Sequence, residues 1–239
     1  MGVENIEETI QAIQAANAQE KSFGNANLFT KHHFKLISLA FFIAFFNQAS
    51  GINFLLYYAP RILEEAGFAK DNSLLSSISI GLMNLVFTFV GLWLIDLIGR
   101  KTLLIIGSFG YIVSLSMVAY GFFMHSAPTF MLVFLLLFIA AHAIGQGAVI
   151  WVFISEIFPT QVRAAGQAFG ASIHWVFAAL ITLVTPVFLD SEYGIFKDNP
   201  WPIFAFFAGM MALQLVWILV KVQETKGVSL EELQKKLVQ

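Results

Sequence analysis

The stretch Asn47-Gln48-Ala49-Ser50-Gly51-Ile52-Asn53-Phe54-Leu55-Leu56-Tyr57-Tyr58-Ala59-Pro60 decides how this chain is read. It continues an apolar run, Phe34 to Phe46, that alone has the make-up of a transmembrane helix. Three amides then appear where lipid tolerates no unpaired polar group. Such groups turn to a bundle interior or a water-filled cavity. On an unbroken helix turning about 100° per residue, Asn53 stands roughly 140° around from Gln48. A helix loosened at Gly51 would let both amides face one cavity, which predicts a discontinuous helix.

The rest of the chain agrees with a membrane setting. Of its 239 residues, 58% are hydrophobic and 12% charged, and the mean hydropathy is +0.78. Soluble domains carry about 25% charged residues. A net charge of -2 offers no basic field for nucleic acid. Cysteine is absent, which excludes disulfides and Cys-ligated metals. Residues 1–20 are polar and acidic, unlike a signal peptide. Six apolar spans of roughly 20 residues or more follow, at Phe34–Ala59, Leu74–Ile95, Thr102–Met124, Phe130–Ser155, Gly166–Leu189 and Trp201–Val222. Val3, Ile6, Ile10 and Ile13 recur at helical spacing, so residues 1–30 read as a cytosolic amphipathic helix and linker. Residues 31–223 form the membrane domain, and 224–239 a cytosolic helix opened by Ser229-Leu230-Glu231-Glu232. With both termini cytosolic, ten Lys and Arg lie inside and three (Arg61, Lys70, Lys197) outside, which sets the orientation.

Polar groups within the spans are few. Besides the three amides there are Asn84, His142, Gln146 and His174, with Trp151 and Trp175 close in sequence to the last groups. His142 and Gln146 are four apart and share a helix face, beside Gly145 and Gly147. Amides that both donate and accept match the hydroxyls of a neutral ligand, and Trp offers a flat apolar face to a ring. A charged ligand would call for an intramembrane counter-ion, and none is present. His142 reads first as a hydrogen-bonded packing residue, and His174 as one that reaches the cavity. At the inner edge, Asp96, Arg100 and Lys101 close the second span, and Glu156 and Arg163 flank the turn after the fourth. Ion pairs among them would tie helix ends together and could break as helices move. Gly166 and Gly170 make a GxxxG step for close packing. No nucleophile–base pair, phosphate loop or metal-ligand set is present, so the chain is not expected to be an enzyme or to hold a cofactor.

Five motifs in order carry a resemblance. They are Asn47 to Asn53 with Tyr57-Tyr58-Ala59-Pro60, Asp96-Leu97-Ile98-Gly99-Arg100-Lys101, Trp151-Val152-Phe153-Ile154-Ser155-Glu156-Ile157-Phe158-Pro159, Arg163-Ala164-Ala165-Gly166, and Glu224-Thr225-Lys226-Gly227. Together they resemble the C-terminal half of a sugar porter of the major facilitator superfamily, nearest to bacterial proton-coupled xylose, galactose or arabinose symporters. The resemblance implies an all-α membrane protein and monosaccharide transport by alternating access, as proton symport in a full-length protein. It implies sugar contacts at Asn47, Gln48, Asn53, Asn84, Gly147, Trp151 and His174, an outer aromatic position at Tyr57, and an inner-face charge network of Asp96, Arg100, Glu156 and Arg163.

The chain departs from the pattern at Asn47 for Gln, Ala148 for a helix-breaking proline, His174 for an amide and Gln223 for proline. Six spans are half the family's twelve. The chain therefore reads as a fragment, a truncated frame, or a half that pairs with an N-terminal six-helix half or a second copy. The expected setting is a bacterial inner membrane, the partners a sugar, lipid and possible protons. Transport of another polyol such as myo-inositol, or a half that does not transport, are the alternatives.

Overall fold

The computed structural model describes residues 27–190, 192–197, 199–228 and 232, and these contain helices and no strand. The amphipathic helix expected within residues 1–30 lies outside the described residues, which begin at 27 in the linker that follows it. The helix expected after Ser229 lies outside them as well, apart from Glu232. A 3-10 turn, Lys31–His33, leads into α1 (Phe34–Ala49) and α2 (Ile52–Glu65). These are followed by α3 (Lys70–Ile98), α4 (Arg100–Phe123) and α5 (Pro128–His142). A π turn, Ala143–Gly147, joins α5 to α6 (Ala148–Ile157), and α7 (Arg163–Leu189) and α8 (Trp201–Lys221) complete the bundle. Taken as continuous rods they give six membrane-length spans, at Lys31–Glu65, Lys70–Ile98, Arg100–Phe123, Pro128–Ile157, Arg163–Leu189 and Trp201–Lys221. All six expected spans are there, most of them extended at the ends by polar residues that hydropathy discounts.

Two spans are interrupted midway. Gly51 takes φ +81°, a left-handed conformation natural to glycine, and α1 stops just before it. The fourth span widens into the π turn, where each carbonyl bonds five residues on. Ala148 stands just after this turn, so the span changes course without the proline that the motif lacks.

Helix pairs in lipid are held by close packing rather than by water exclusion. Glycine supplies the closeness here. A Cβ on Gly107 of α4 would stand 2.9 Å from the Gly145 Cα in the π turn, leaving the two backbones in near contact. A Cβ on Gly166 or Gly170 of α7 would run into Phe158 (2.3 Å) or Ile154 (2.7 Å). The most extensive helix pairing is α4 with α8, followed by α4 with α5 and α1 with α7.

The apolar interior divides into two clusters. One holds Ile52, Leu55, Ile62, Tyr111, Leu135, Phe138, Phe204 and Met211. The other holds Leu36, Ile43, Leu103, Val149, Phe153, Phe158 and Ile218, towards the end of the bundle that carries Arg100. At the seam between them each span places polar atoms: Asn47 and Gln48, Asn84, Ser108, His142 and Gln146, His174, and Gln214. Gln214 donates to Ser108 across α8 and α4 at 3.1 Å.

Candidate functional site

The break in the first span builds the central group. Its hinge is held locally: the Ser50 hydroxyl donates to the Asn47 carbonyl at 2.6 Å and accepts the Ile52 amide at 3.3 Å. With the backbone turned at Gly51, residues that an unbroken helix would separate come together. The Gln48 side-chain nitrogen donates to Asn47 Oδ1 at 2.9 Å, and the Asn53 nitrogen donates to Gln48 Oε1 at 2.9 Å. The same Gln48 nitrogen reaches the edge of His174 from α7, 3.1 and 3.2 Å from its two ring nitrogens. Gln48 is fully buried and Asn47 nearly so, whereas Asn53 and His174 are half-buried.

Trp151 of α6 tilts over His174 with ring centroids 5.0 Å apart, and remains 43% exposed. Gly147 lies one turn before Trp151 on the same face. Amide groups, an imidazole edge and an indole face thus border one surface. No protein group among the described residues bonds Asn53 Oδ1, so it is free to accept from a ligand. Trp175 packs edge-on against His174 and is otherwise exposed.

Two expected positions stand apart. Tyr57 projects from α2 at 59% exposure, and it is Tyr58 that bonds within the bundle, donating to the Thr182 carbonyl at 3.3 Å. Asn84 is half-exposed on α3 and its side-chain amide bonds nothing among the described residues. The π turn also alters the expected pairing of His142 with Gln146. Its wider winding sets Gly147, five residues on, over the imidazole, while Gln146 is buried with both amide atoms unpartnered among the described residues.

At the basic end, Arg100 grips Glu156 with two hydrogen bonds, 2.7 Å from Nη2 and 3.1 Å from Nε. Its Nη1 donates to Asp96 (3.1 Å) and to the Ile95 carbonyl (3.0 Å). Asp96 is 79% exposed, so that pair contributes little, whereas the fork on Glu156 is shielded and geometrically specific. Of the ion pairs expected among these charges, none joins Glu156 to Arg163. Both Glu156 oxygens are engaged, by Arg100 and by the Thr225 hydroxyl at 2.6 Å. Arg163 instead donates to the Phe158 carbonyl at 3.3 Å, lining the same cavity of about 350 Å³.

Glu224 was not singled out as a site residue by sequence reasoning. Its carboxylate accepts the backbone amides of Arg100 (2.8 Å), Lys101 (3.0 Å), Thr225 (3.0 Å) and Lys226 (3.0 Å). It therefore caps α4 from the far end of the chain, a place where negative charge suits the helix dipole. The available signal was an acid placed just after the last span opposite a helix that opens with Gly99 and no capping side chain. Among the described residues no group of three or more His, Asp or Glu is placed to hold a metal.

A family model described as "Sugar (and other) transporter" matches residues 2–237. The chain is 31% identical to the putative metabolite transport protein YwtG of Bacillus subtilis, over 99% of this chain and 51% of that protein. It is 31% identical to the glucose facilitated diffusion protein of Zymomonas mobilis, over 95% of this chain and 48% of the relative. The D-xylose-proton symporter of Escherichia coli is 31% identical, over 83% and 40%. Among solved structures, the inward open conformation of the xylose transporter XylE from E. coli superposes with a TM-score of 0.76 at 27% identity, covering 99% of this chain and 47% of that one. The chain spans about half the length of the curated relatives it matches.

Proposed function

We propose a function from one premise: the chain belongs to the sugar (and other) transporter family, whose model matches residues 2–237. In this reading it forms one wall of a monosaccharide cavity and rocks against a second six-span unit, exposing the cavity to each side of the membrane in turn. The observation that carries it is the amide group at the broken helix. Asn47, Gln48 and Asn53 meet His174 at mid-span, with the indole of Trp151 beside them. Hydroxyls pair with such amides in either sense, and a sugar's C–H face lies flat on an indole.

Exposure supports a second wall. Only 17% of the apolar 18-residue stretch of α3 and of α7 is buried, against 72% for that of the first span. The unpaired amide of Asn84 lies on α3, and facing lipid it would cost several kcal/mol. A second six-span unit, an N-terminal half or another copy of this chain, would cover it together with the water-filled cavity. Proton coupling, named for some relatives, would fall to an acid on that other wall, since no carboxylate of the described residues lies at mid-span here. The excess of Lys and Arg at the Arg100 end supports a cytosolic orientation of that end, and the proposed setting is a bacterial inner membrane. There the Arg100–Glu156 fork closes the inner side.

Uptake of labelled glucose, xylose and galactose by transport-deficient bacterial cells producing this chain, alone and with a family N-terminal half, tests the reading. Uptake by inserted protein in either setting supports it. Inserted protein that transports none of them in both settings, and is not competed by myo-inositol in binding, refutes it.

A further inference from the structure

His142 sits beside the amide group, but its bonds run the other way. Its Nδ1 lies 2.6 Å from the phenol oxygen of Tyr111 on α4, a side chain with no exposed surface. Tyr111 packs in turn against Phe138, with ring centroids 5.4 Å apart. The imidazole is thus fixed from behind. Its opposite edge is bare. A Cβ built on Gly147 would stand 3.3 Å from His142 Cδ2 and 3.4 Å from Nε2, so a side chain at residue 147 would cover this edge and glycine leaves it open. Nε2 has no hydrogen-bond partner among the described residues, and the residue keeps 8% exposure. Gly147 and Trp151 share a helix face, and Trp151 leans on His174, which meets Gln48. The surface from Gln48 therefore runs through His174, Trp151 and Gly147 to His142 Nε2.

We infer that His142, braced by Tyr111 and left bare by Gly147, forms a hydrogen bond through Nε2 with one hydroxyl of the transported sugar. This rests on the monosaccharide reading above and deepens it. The contact works in either tautomer. If Tyr111 donates to Nδ1, Nε2 carries the proton and donates; in the opposite arrangement it accepts, and a hydroxyl serves both. A bond formed only when a hydroxyl is present discriminates strongly, because its absence leaves a buried polar atom unpaired. Tyr111 is a positioning residue, since it orients the ring and stands behind it.

The test is tryptophan-fluorescence titration of the full chain in lipid nanodiscs with glucose and its monodeoxy analogues. His142→Phe should weaken glucose binding about tenfold. One monodeoxy analogue, lacking the contacted hydroxyl, should bind the variant and the unaltered chain alike. His142→Gln should restore part of the loss. Gly147→Ala, which places a methyl over the bare edge, should reproduce the same analogue pattern and serves where His142→Phe does not fold. Tyr111→Phe should give a smaller loss that is not additive with His142→Phe. Equal affinity of His142→Phe and the unaltered chain for every sugar overturns the inference and leaves the sugar reading standing. A uniform loss across all analogues also overturns it, since that is what a packing role produces. Absence of sugar binding by the unaltered chain, both alone and reconstituted with a family N-terminal half, removes the inference together with the reading beneath it.

Discussion

Gly51→Ala tests the break on which the site depends. Two costs add. Alanine at φ +81° sits in a left-handed conformation that disfavours an L side chain by about 1–2 kcal/mol. The added methyl would also lie 2.5 Å from Phe207 Cδ2 and 2.6 Å from Cε2. Carbon atoms pack at about 3.5–4.0 Å, so the ring must retreat by roughly 1 Å. Phe207 is buried against Phe54, with ring centroids 5.4 Å apart, and the two border an apolar cavity of about 540 Å³ that gives the ring some room; overpacking of this kind costs about 1–3 kcal/mol. The expected destabilisation is about 2–5 kcal/mol, read by reversible unfolding in mixed micelles. Gly209→Ala is the control, because a Cβ there meets nothing within 4 Å and the residue is exposed on α8. It should be neutral or stabilising by up to about 1 kcal/mol. Adding Phe207→Ala to Gly51→Ala removes the clash and leaves the backbone cost, so the pair should lose less than the sum of its parts. Should Gly51→Ala unfold at the same denaturant level as Gly209→Ala, the strained hinge would be wrong.

Three other outcomes follow from single side chains. Gln48→Ala removes the amide that bridges Asn47, Asn53 and His174, and should weaken sugar binding about tenfold while expression holds; unchanged affinity in a folded variant refutes its role. Arg100→Ala breaks the fork on Glu156, and cysteine labelling from the two sides of the membrane should then shift towards greater access at the basic end. Identical labelling would show that the pair is static. Glu224→Gln keeps a carbonyl but loses the charge and one acceptor at the start of α4, so stability should fall by about 1–2 kcal/mol and the Arg100 and Lys101 amides should exchange faster; unaltered exchange refutes the cap.

Periodicity and length made the spans legible, because a bilayer fixes both. The hinge was legible for a different reason: three amides around one glycine in an apolar run admit few arrangements. What local sequence could not carry was anything set by winding or by distant partners. An i, i+4 rule assigns His142 and Gln146 to one face, but the π turn adds a residue to the turn and puts Gly147 there instead. Arg163 has the right charge and place to pair with Glu156, yet Arg100 and Thr225 saturate that carboxylate first. Glu224 lies 124 positions from the helix that it caps, so an acid after the last span and an uncapped helix start at Gly99 are each visible in the sequence while their pairing is not.

The polar seam explains why both broken helices are broken at the same level. An unbroken helix satisfies its own backbone and offers lipid or protein only side chains. A ligand site at mid-span needs more, since amides must converge from positions that regular winding scatters. Gly51 achieves this by a left-handed turn that folds Asn53 back on Gln48. The π turn does so by added width, bringing a bare glycine over His142 one turn before Trp151. The apolar clusters on either side are continuous up to these points and resume beyond them. A further kink at Tyr58, beside Pro60, lies beyond this layer, but only the breaks at Gly51 and in the π turn bring polar side chains together.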